Sequence, residues 1–137
     1  MSVSEDLLRY IEKSPTSYQA VEEAAALLSQ EDFLELQESE NWEICYGGSY
    51  FVRRNDSSLI AFSIPEEFQA AHICASHADS PLLKIKENPE IRKLGKYVLL
   101  NVEKYGGMLM NPWFDRPLSV ADRVVIPSRD GRNGGIG

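Results

Sequence analysis

The apolar residues of this 137-residue chain change their spacing near Trp42, and this change limits the folds open to it. Before that point, residues 7–11 and 20–28 repeat apolar side chains at helical spacing, which predicts two amphipathic helices. Thr16 stands three residues before Gln19, so the pair is expected to form a capping box at the start of the second helix. The first third of the chain is therefore predicted to be helical.

From Trp42 onward the pattern is that of strands. Residues 50–54 and 59–64 predict two strands, and the residues between them are typical of a turn. Residues 70–75 are almost entirely apolar, which predicts a strand covered on both faces, as in the middle of an α/β sheet. We therefore predict an α/β fold and assign residues 1–80 to its first domain.

The remainder of the chain contains no convincing helix. Strand-like segments occupy residues 82–86, 97–102 and 119–126, and parallel strands need crossover helices that are missing here. This favours antiparallel pairing in a separate β domain, which we place at residues 81–137. Its glycine-rich end, residues 128–137, is typical of either the tip of a hairpin or an irregular chain terminus.

The charge of the chain excludes some classes of partner. Fourteen Lys and Arg against twenty-one Asp and Glu give a formal charge of −7. This argues against nucleic acid and anionic membranes as partners, because both attract basic surfaces. A simpler interpretation is that the charge only keeps the protein soluble.

The cysteines indicate the compartment. Cys45 and Cys74 are too few for a disulfide framework, and both lie in strand-like contexts, which predicts buried free thiols. The first residues do not form a secretory signal. A cytoplasmic protein is the simplest expectation.

The segment whose residues most strongly suggest a functional site is residues 76–81, directly after the predicted buried strand. It contains His77 and Asp79, and ligands of open α/β sheets bind at the carboxyl ends of strands. A neutral imidazole is a good zinc ligand, and a nearby carboxylate can take its other ring N–H and raise its basicity. The spacing therefore permits a metal site.

A metal-free interpretation stays open, since His-x-Asp arises often by chance and a loop carboxylate can simply satisfy a histidine. His72 is a second candidate. Counting alternate positions along a strand, it lies on the face opposite to His77, so the two are poorly placed to share a metal. We expect His72 to be a packed strand histidine.

A second cluster of unusual residues lies downstream. Residues 105–108 contain paired glycines, which permit backbone angles that a Cβ would block. Residues 113–119 join Trp and Phe to Asp and Arg, a combination enriched at interfaces. A turn with local packing explains both equally well.

Together these motifs resemble a known family. Residues 75–86, around His77 and Asp79, resemble the segment of the aspartyl aminopeptidase family that carries its first zinc ligand. Residues 105–107 and 113–121 resemble that family's second signature at a similar distance. The early Ser14-Pro15-Thr16 and its helix are similar to the family's N-terminus, so the resemblance covers nearly the whole chain.

The resemblance implies a metalloaminopeptidase that removes N-terminal, often acidic, residues from peptide substrates. His77 would bind one of two zinc ions, and Asp79 would orient His77 and count among the catalytic residues. The implied fold is the N-terminal part of a zinc-exopeptidase α/β sandwich, followed by part of an inserted β-rich domain used in assembly. Family members form dodecamers.

The family's bridging aspartate, glutamate pair and other zinc ligands come much later than residue 137. Since a catalytic zinc needs about three protein ligands, the chain is expected to be an incomplete fragment, inactive alone. Another co-catalytic zinc exopeptidase, or a non-catalytic assembly or regulatory module, remains an alternative.

Overall fold

The computed structural model describes residues 2–127 and 133–136. Those residues form two α-helices, one short 3-10 helix and seven strands. In chain order they are α1 (Val3–Lys13), α2 (Ser17–Gln30), β1 (Leu34–Glu35), β2 (Ser49–Arg54), β3 (Ser58–Ser63), β4 (Leu82–Lys93), β5 (Tyr97–Tyr105), the 3-10 helix (Asn111–Trp113), β6 (Val124–Pro127) and β7 (Asn133–Ile136).

Helix capping differs from the prediction. The capping box forms at Ser2, whose hydroxyl accepts a bond from the Glu5 N–H while the Glu5 carboxylate accepts one from the Ser2 N–H. Thr16 is the N-cap of α2, but its hydroxyl contacts the Gln19 side chain and caps no backbone N–H. The capping box predicted at Thr16 is therefore wrong.

Helix α1 lies on α2 through polar contacts. The Tyr10 hydroxyl donates to the Ala20 carbonyl at 2.9 Å, and the Lys13 ammonium pairs with Glu23 at 3.0 Å. The apolar residues 7–11 that predicted this helix are largely exposed. The spacing of these residues thus predicted the helix correctly, but α2 does not cover its apolar stripe.

The end of α2 turns the chain into the sheet. Asp32 adopts a positive φ of 61°, and the N–H groups of Asp32 and Phe33 bond the carbonyls of Ser29 and Leu28. This is a Schellman motif, which satisfies carbonyls that the helix end leaves free. The reversal brings Leu34 directly into β1.

The first sheet has the order β1-β2-β3, with β1 parallel and β3 antiparallel to β2. Helix α2 packs on β2 and β3. The core consists of a few side chains from α2 and β2, and Phe51 at 1% exposure is the most deeply buried large one. The buried hydrophobic residues are Ala20, Val21, Ala25, Tyr50, Phe51 and Val52.

Two ion pairs hold β1 and the following loop against β2. The Arg53 guanidinium donates two hydrogen bonds to the Glu35 carboxylate, at 2.7 and 3.1 Å. Arg54 contacts Glu38 in the same way, with a shortest distance of 2.5 Å. The hydrogen bond from Arg54 lowers the pKa of Glu38 below its ordinary value.

The turn between β2 and β3 contains residue types that suit its backbone conformation. Asn55 and Asp56 both have a φ of 53°, as the central residues of a type I′ turn require, and both residue types tolerate this region. Arg123 donates to Asp56 at 2.9 Å and lies 4.9 Å over the Tyr18 ring. These contacts join the residues before β6 to the first sheet.

The second hairpin, β4–β5, is antiparallel as predicted, with its register shifted between Ile85 and Glu90. Its turn places Leu94 at φ 54° and Gly95 at φ 63°. A left-handed conformation costs an L-residue about 1–2 kcal/mol, so leucine is an unfavourable choice there. Strands β6 and β7 also pair antiparallel, and the intervening residues 128–132 lie outside the described part of the chain.

The predicted buried strand at residues 70–75 is wrong. These residues belong to no strand and are exposed, because none of the described residues offers them a neighbouring strand to bond. The predicted burial of Cys45 and Cys74 is also wrong, since both are exposed free thiols. His72 is likewise exposed and is not a packed strand histidine.

The chain divides into two compact units. The first comprises Met1–Asp79 and Ala121–Gly137, and the second comprises Ser80–Val120. The division after Asp79 lies next to the domain boundary predicted at residue 80. The structure differs from the predicted span of 81–137 because residues from Ala121 on group with the first unit, where Arg123 makes its contacts.

None of the helices in the described residues is long and apolar enough to cross a bilayer.

We predict that Phe51→Ala destabilises the first unit by about 3–5 kcal/mol, because it empties the centre of a small core. Urea unfolding followed by circular dichroism measures the change. Ile60→Ala is the control, since Ile60 lies on the adjacent strand but is 70% exposed, and it should cost less than about 1 kcal/mol. Equal losses in the two variants would contradict this description of the core.

We also predict that Arg54→Gln raises the pKa of Glu38 toward its ordinary value of 4.5, because the lowering hydrogen bond disappears. A carboxylate with a lowered folded-state pKa stabilises the fold above its unfolded pKa, and this contribution is lost as the pH falls through the lowered value. NMR titration of the side-chain carboxyl measures it. Arg53→Gln should leave the Glu38 pKa unchanged, since Arg53 contacts Glu35 instead.

Candidate metal-binding segment

The segment that carries His77 and Asp79 connects β3 to β4. It forms neither a helix nor a strand, it bends at Ala78, and Pro81 immediately precedes the first residue of β4. The proline disfavours helical geometry at Ser80, so no helix continues from this segment into β4. Both candidate side chains are therefore presented by a connecting segment of the first unit.

His77 and Asp79 contact each other directly. The His77 Nδ1 atom lies 3.0 Å from the Asp79 carboxylate oxygen Oδ1 and 2.8 Å from the Asp79 backbone carbonyl oxygen. The sequence predicted the carboxylate contact. It did not predict the carbonyl contact, which follows from the backbone turning back between the two residues and has no side-chain signal.

This arrangement selects the tautomer of the imidazole. Two oxygen acceptors face His77 Nδ1, so the neutral ring carries its proton there and keeps its lone pair on Nε2. A metal ion binds histidine through a ring nitrogen that keeps its lone pair, and in this arrangement that nitrogen is Nε2. A hydrogen bond from Nδ1–H to a carboxylate also raises the basicity of the ligand.

The exposure of the pair permits an added ligand. The His77 side chain is 80% exposed and that of Asp79 is 43% exposed. In the part of the chain that the structure describes, no group of three or more His, Cys, Asp or Glu side chains could hold a metal ion. His77 therefore fits zinc as one ligand, while the remaining ligands of a zinc site are not among the described residues.

The second motif lies in the second compact unit. Gly106 has a φ of 74°, which explains the need for a glycine at that position, and a Cβ there would lie 3.5 Å from Pro81. Trp113 ends the 3-10 helix, and Phe114 after it is exposed. Arg116 pairs with its neighbour Asp115 at 3.0 Å. The motif thus combines a glycine turn with an exposed aromatic and an ion pair.

Comparisons with known proteins agree with the resemblance found in the sequence. The family described as aminopeptidase I zinc metalloprotease, M18, matches residues 10–135. The protein of Clostridium acetobutylicum named "Probable M18 family aminopeptidase 2" is 40% identical over 129 residues, which cover 92% of this chain and 30% of that protein. Aspartyl aminopeptidase 1 of Schizosaccharomyces pombe is 42% identical over 132 residues, which cover 93% of this chain and 28% of that protein. The chain spans only about 30% of the length of these relatives.

Solved structures give the same result. A cryo-EM structure of the Ape4 and Nbr1 complex is similar to this chain with a TM-score of 0.87 and 41% identity, over 96% of this chain and 26% of that one. The mApe1 dodecamer of S. cerevisiae matches with a TM-score of 0.80 and 25% identity, over 98% of this chain and 32% of that one. These similarities confirm the predicted α/β fold class as part of a larger structure. Since the family match extends over residues 10–135, the chain belongs to the M18 family of aminopeptidase I zinc metalloproteases.

Proposed function

We propose that this chain is part of a zinc metalloaminopeptidase that removes N-terminal residues, often acidic ones, from peptides. The observation that carries the proposal is the contact of His77 Nδ1 with Asp79, which leaves Nε2 as the metal-binding atom. Membership of the M18 family supports the reaction class. The acidic preference rests on the relatives named aspartyl aminopeptidase.

The two residues have distinct proposed roles. His77 binds one of two zinc ions through Nε2. Asp79 holds the Nδ1–H and so keeps the ring in the tautomer and orientation that a metal needs. Zinc, when bound, supplies a Lewis acid that activates water for attack on the peptide carbonyl.

The described residues supply one zinc ligand, and a catalytic zinc needs about three. We infer that the other ligands and the proton-transferring glutamate belong to the part of the relatives' length that this chain does not span. A non-catalytic module, the alternative interpretation, would need no such residues. Activity of a protein of the relatives' full length that begins with this chain separates the enzyme from the non-catalytic module.

We further propose the larger context of the protein. Residues 1–80 contribute to the catalytic α/β domain and the second unit to an inserted assembly domain. Self-association is supported by the dodecamer of the mApe1 relative. The free thiols of Cys45 and Cys74 support a cytoplasmic location, because disulfides are rare there.

The role of Asp79 is tested by Asp79→Asn in a protein of the relatives' full length that begins with this chain. The two side chains are almost isosteric, but the amide lacks the charge that raises the basicity of His77. We expect a folded protein with about 10–100-fold lower activity or zinc affinity, partly rescued by excess zinc.

The control for this variant is Glu90→Gln, which neutralises an exposed carboxylate of the second unit that pairs with the nearby Arg92 and lies outside both family motifs. It should retain full activity. Wild-type turnover and zinc affinity in Asp79→Asn would show that the assigned role is wrong, even though the family membership would stand.

The incompleteness of the site is tested with residues 1–137 alone. We expect no hydrolysis of aspartyl or glutamyl amides with added zinc, manganese or cobalt, because the described residues include no group of three or more side chains that could hold a catalytic metal ion. Metal-dependent turnover that His77→Ala abolishes and His72→Ala preserves would refute the expectation.

A further inference from the structure

Two oxygen atoms of one residue face the His77 ring, and they differ in kind. The Asp79 backbone carbonyl oxygen lies 2.8 Å from His77 Nδ1, and the Asp79 carboxylate oxygen Oδ1 lies 3.0 Å from it. Both distances are ordinary for an N–H···O hydrogen bond. The carbonyl is neutral and belongs to the backbone, whereas the carboxylate is charged and belongs to the side chain. The two acceptors can therefore contribute different properties to the same ligand.

The direction of the carbonyl is set by the backbone. It belongs to the planar peptide group that joins Asp79 to Ser80. Pro81 restricts the backbone angles of Ser80, and the chain bends at Ala78. These constraints act on the peptide group and do not involve the side chain of residue 79. The carbonyl should therefore still face His77 Nδ1 when that side chain is replaced.

The carboxylate supplies a property that the carbonyl lacks. It rotates about two side-chain bonds, so the backbone fixes its position less strictly than that of the carbonyl. Its negative charge raises the basicity of the ring and so makes Nε2 a better metal ligand. The neutral carbonyl accepts the Nδ1–H equally well but adds no net charge. Choosing the tautomer and strengthening the ligand are therefore separable effects.

Neither contact depends on distant parts of the protein. His77 and Asp79 are two residues apart, and both acceptors belong to the segment that connects β3 to β4. The chain spans only about 30% of the length of its relatives, but no residue outside this segment takes part in either contact. The tautomer of His77 can therefore be measured in the chain itself, without a metal ion.

We propose that the Asp79 backbone carbonyl fixes the neutral tautomer of His77, whereas the Asp79 carboxylate adds charge without choosing the tautomer. Asp79 is thus a positioning residue through its backbone, and it tunes the ligand through its side chain. The inference deepens the proposed function and rests on it in one respect, since Nε2 is the proposed zinc-binding atom. Replacement of the Asp79 side chain should weaken zinc binding while Nε2 stays available to the metal.

The failure of this proposal is distinguishable from a failure of the proposed function. The tautomer is read in the metal-free chain, whereas zinc content and activity are read in a protein of the relatives' full length. Loss of the tautomer preference in a side-chain variant overturns the role of the carbonyl alone.

The first measurement is NMR of the histidine ring nitrogens in the metal-free, isotope-labelled chain, at about pH 8, where a model histidine is mostly neutral. His72 is the internal control, because it lies in the same segment and its ring makes no hydrogen bond to any of the residues that the structure describes. The ratio of Nδ1–H to Nε2–H should be about fivefold or more higher at His77 than at His72, which is the effect of one ordinary hydrogen bond. Equal ratios at the two histidines would overturn the proposal.

Asp79→Ala separates the two acceptors. This variant removes both carboxylate oxygens and keeps the backbone carbonyl. The ratio at His77 should stay within about twofold of that in the unsubstituted chain, because the carbonyl still accepts the Nδ1–H. A fall to the ratio of His72 would show that the carboxylate sets the tautomer, and the proposal would be wrong.

A change of a single backbone atom tests the carbonyl itself. Replacement of Ser80 by its α-hydroxy acid turns the peptide bond between residues 79 and 80 into an ester, whose carbonyl is a weaker acceptor. The native Cys74 allows residues 74–137 to be synthesised and joined to residues 1–73 by chemical ligation. In the Asp79→Ala chain, this ester should lower the ratio at His77 towards that at His72, because no strong acceptor remains.

The matched control is the same ester one bond earlier, between residues 78 and 79 of the Asp79→Ala chain. It weakens the Ala78 carbonyl, which makes no hydrogen bond with the His77 ring in the described part of the chain. The ratio at His77 should therefore stay within about twofold of that in the all-amide variant. Equal effects of the two esters, or no effect of the ester at Ser80, would overturn the role of the Asp79 carbonyl.

Discussion

The packing of α2 against β2 supports the rest of the first unit. The buried side chains come from α2, which contributes Ala20, Val21 and Ala25, and from β2, which contributes Phe51 and its two strand neighbours, and the packing of α2 on β2 and β3 fixes the position of the sheet. Strands β1 and β3 join through hydrogen bonds to β2, and the arginine pairs of β2 hold the loop after β1. Because burial is the main favourable term in folding, removing it leaves mostly exposed polar contacts, which are individually weak.

The candidate metal ligand depends little on this core. His77 and Asp79 are two residues apart, and their contact forms within one short connecting segment through both a carboxylate and a backbone carbonyl. In a site of this kind, neighbouring residues in the sequence set the tautomer of the histidine. The number and geometry of the metal ligands depend on residues distant in the sequence. This is why one preorganised histidine can occur in a chain whose described residues include no group of three or more side chains that could hold a metal ion.

The two hairpins show how sequence and structure differ in what they reveal. The turn between β2 and β3 was predicted from its residues, whereas the turn between β4 and β5 was not, and only the backbone geometry shows that Leu94 occupies a position suited to asparagine or glycine. Likewise, the total charge of −7 hides the opposite signs of the two compact units, since residues 80–120 contain seven Lys and Arg against four Asp and Glu. Partner arguments based on the charge of the whole chain therefore do not hold for each unit taken alone.

The sequence by itself determined the helices, the paired strands, the turn at Asn55 and the contact of His77 with Asp79, since each depends on neighbours within a few residues or on a simple repeat. Only the tertiary structure decided which apolar residues are buried. Residues 70–75 have the composition of a central strand yet are exposed, because a strand needs hydrogen-bonding neighbours that its own sequence cannot provide. Arg123 joins Asp56 and Tyr18 for the corresponding reason, since a contact between distant residues has no local pattern to predict it.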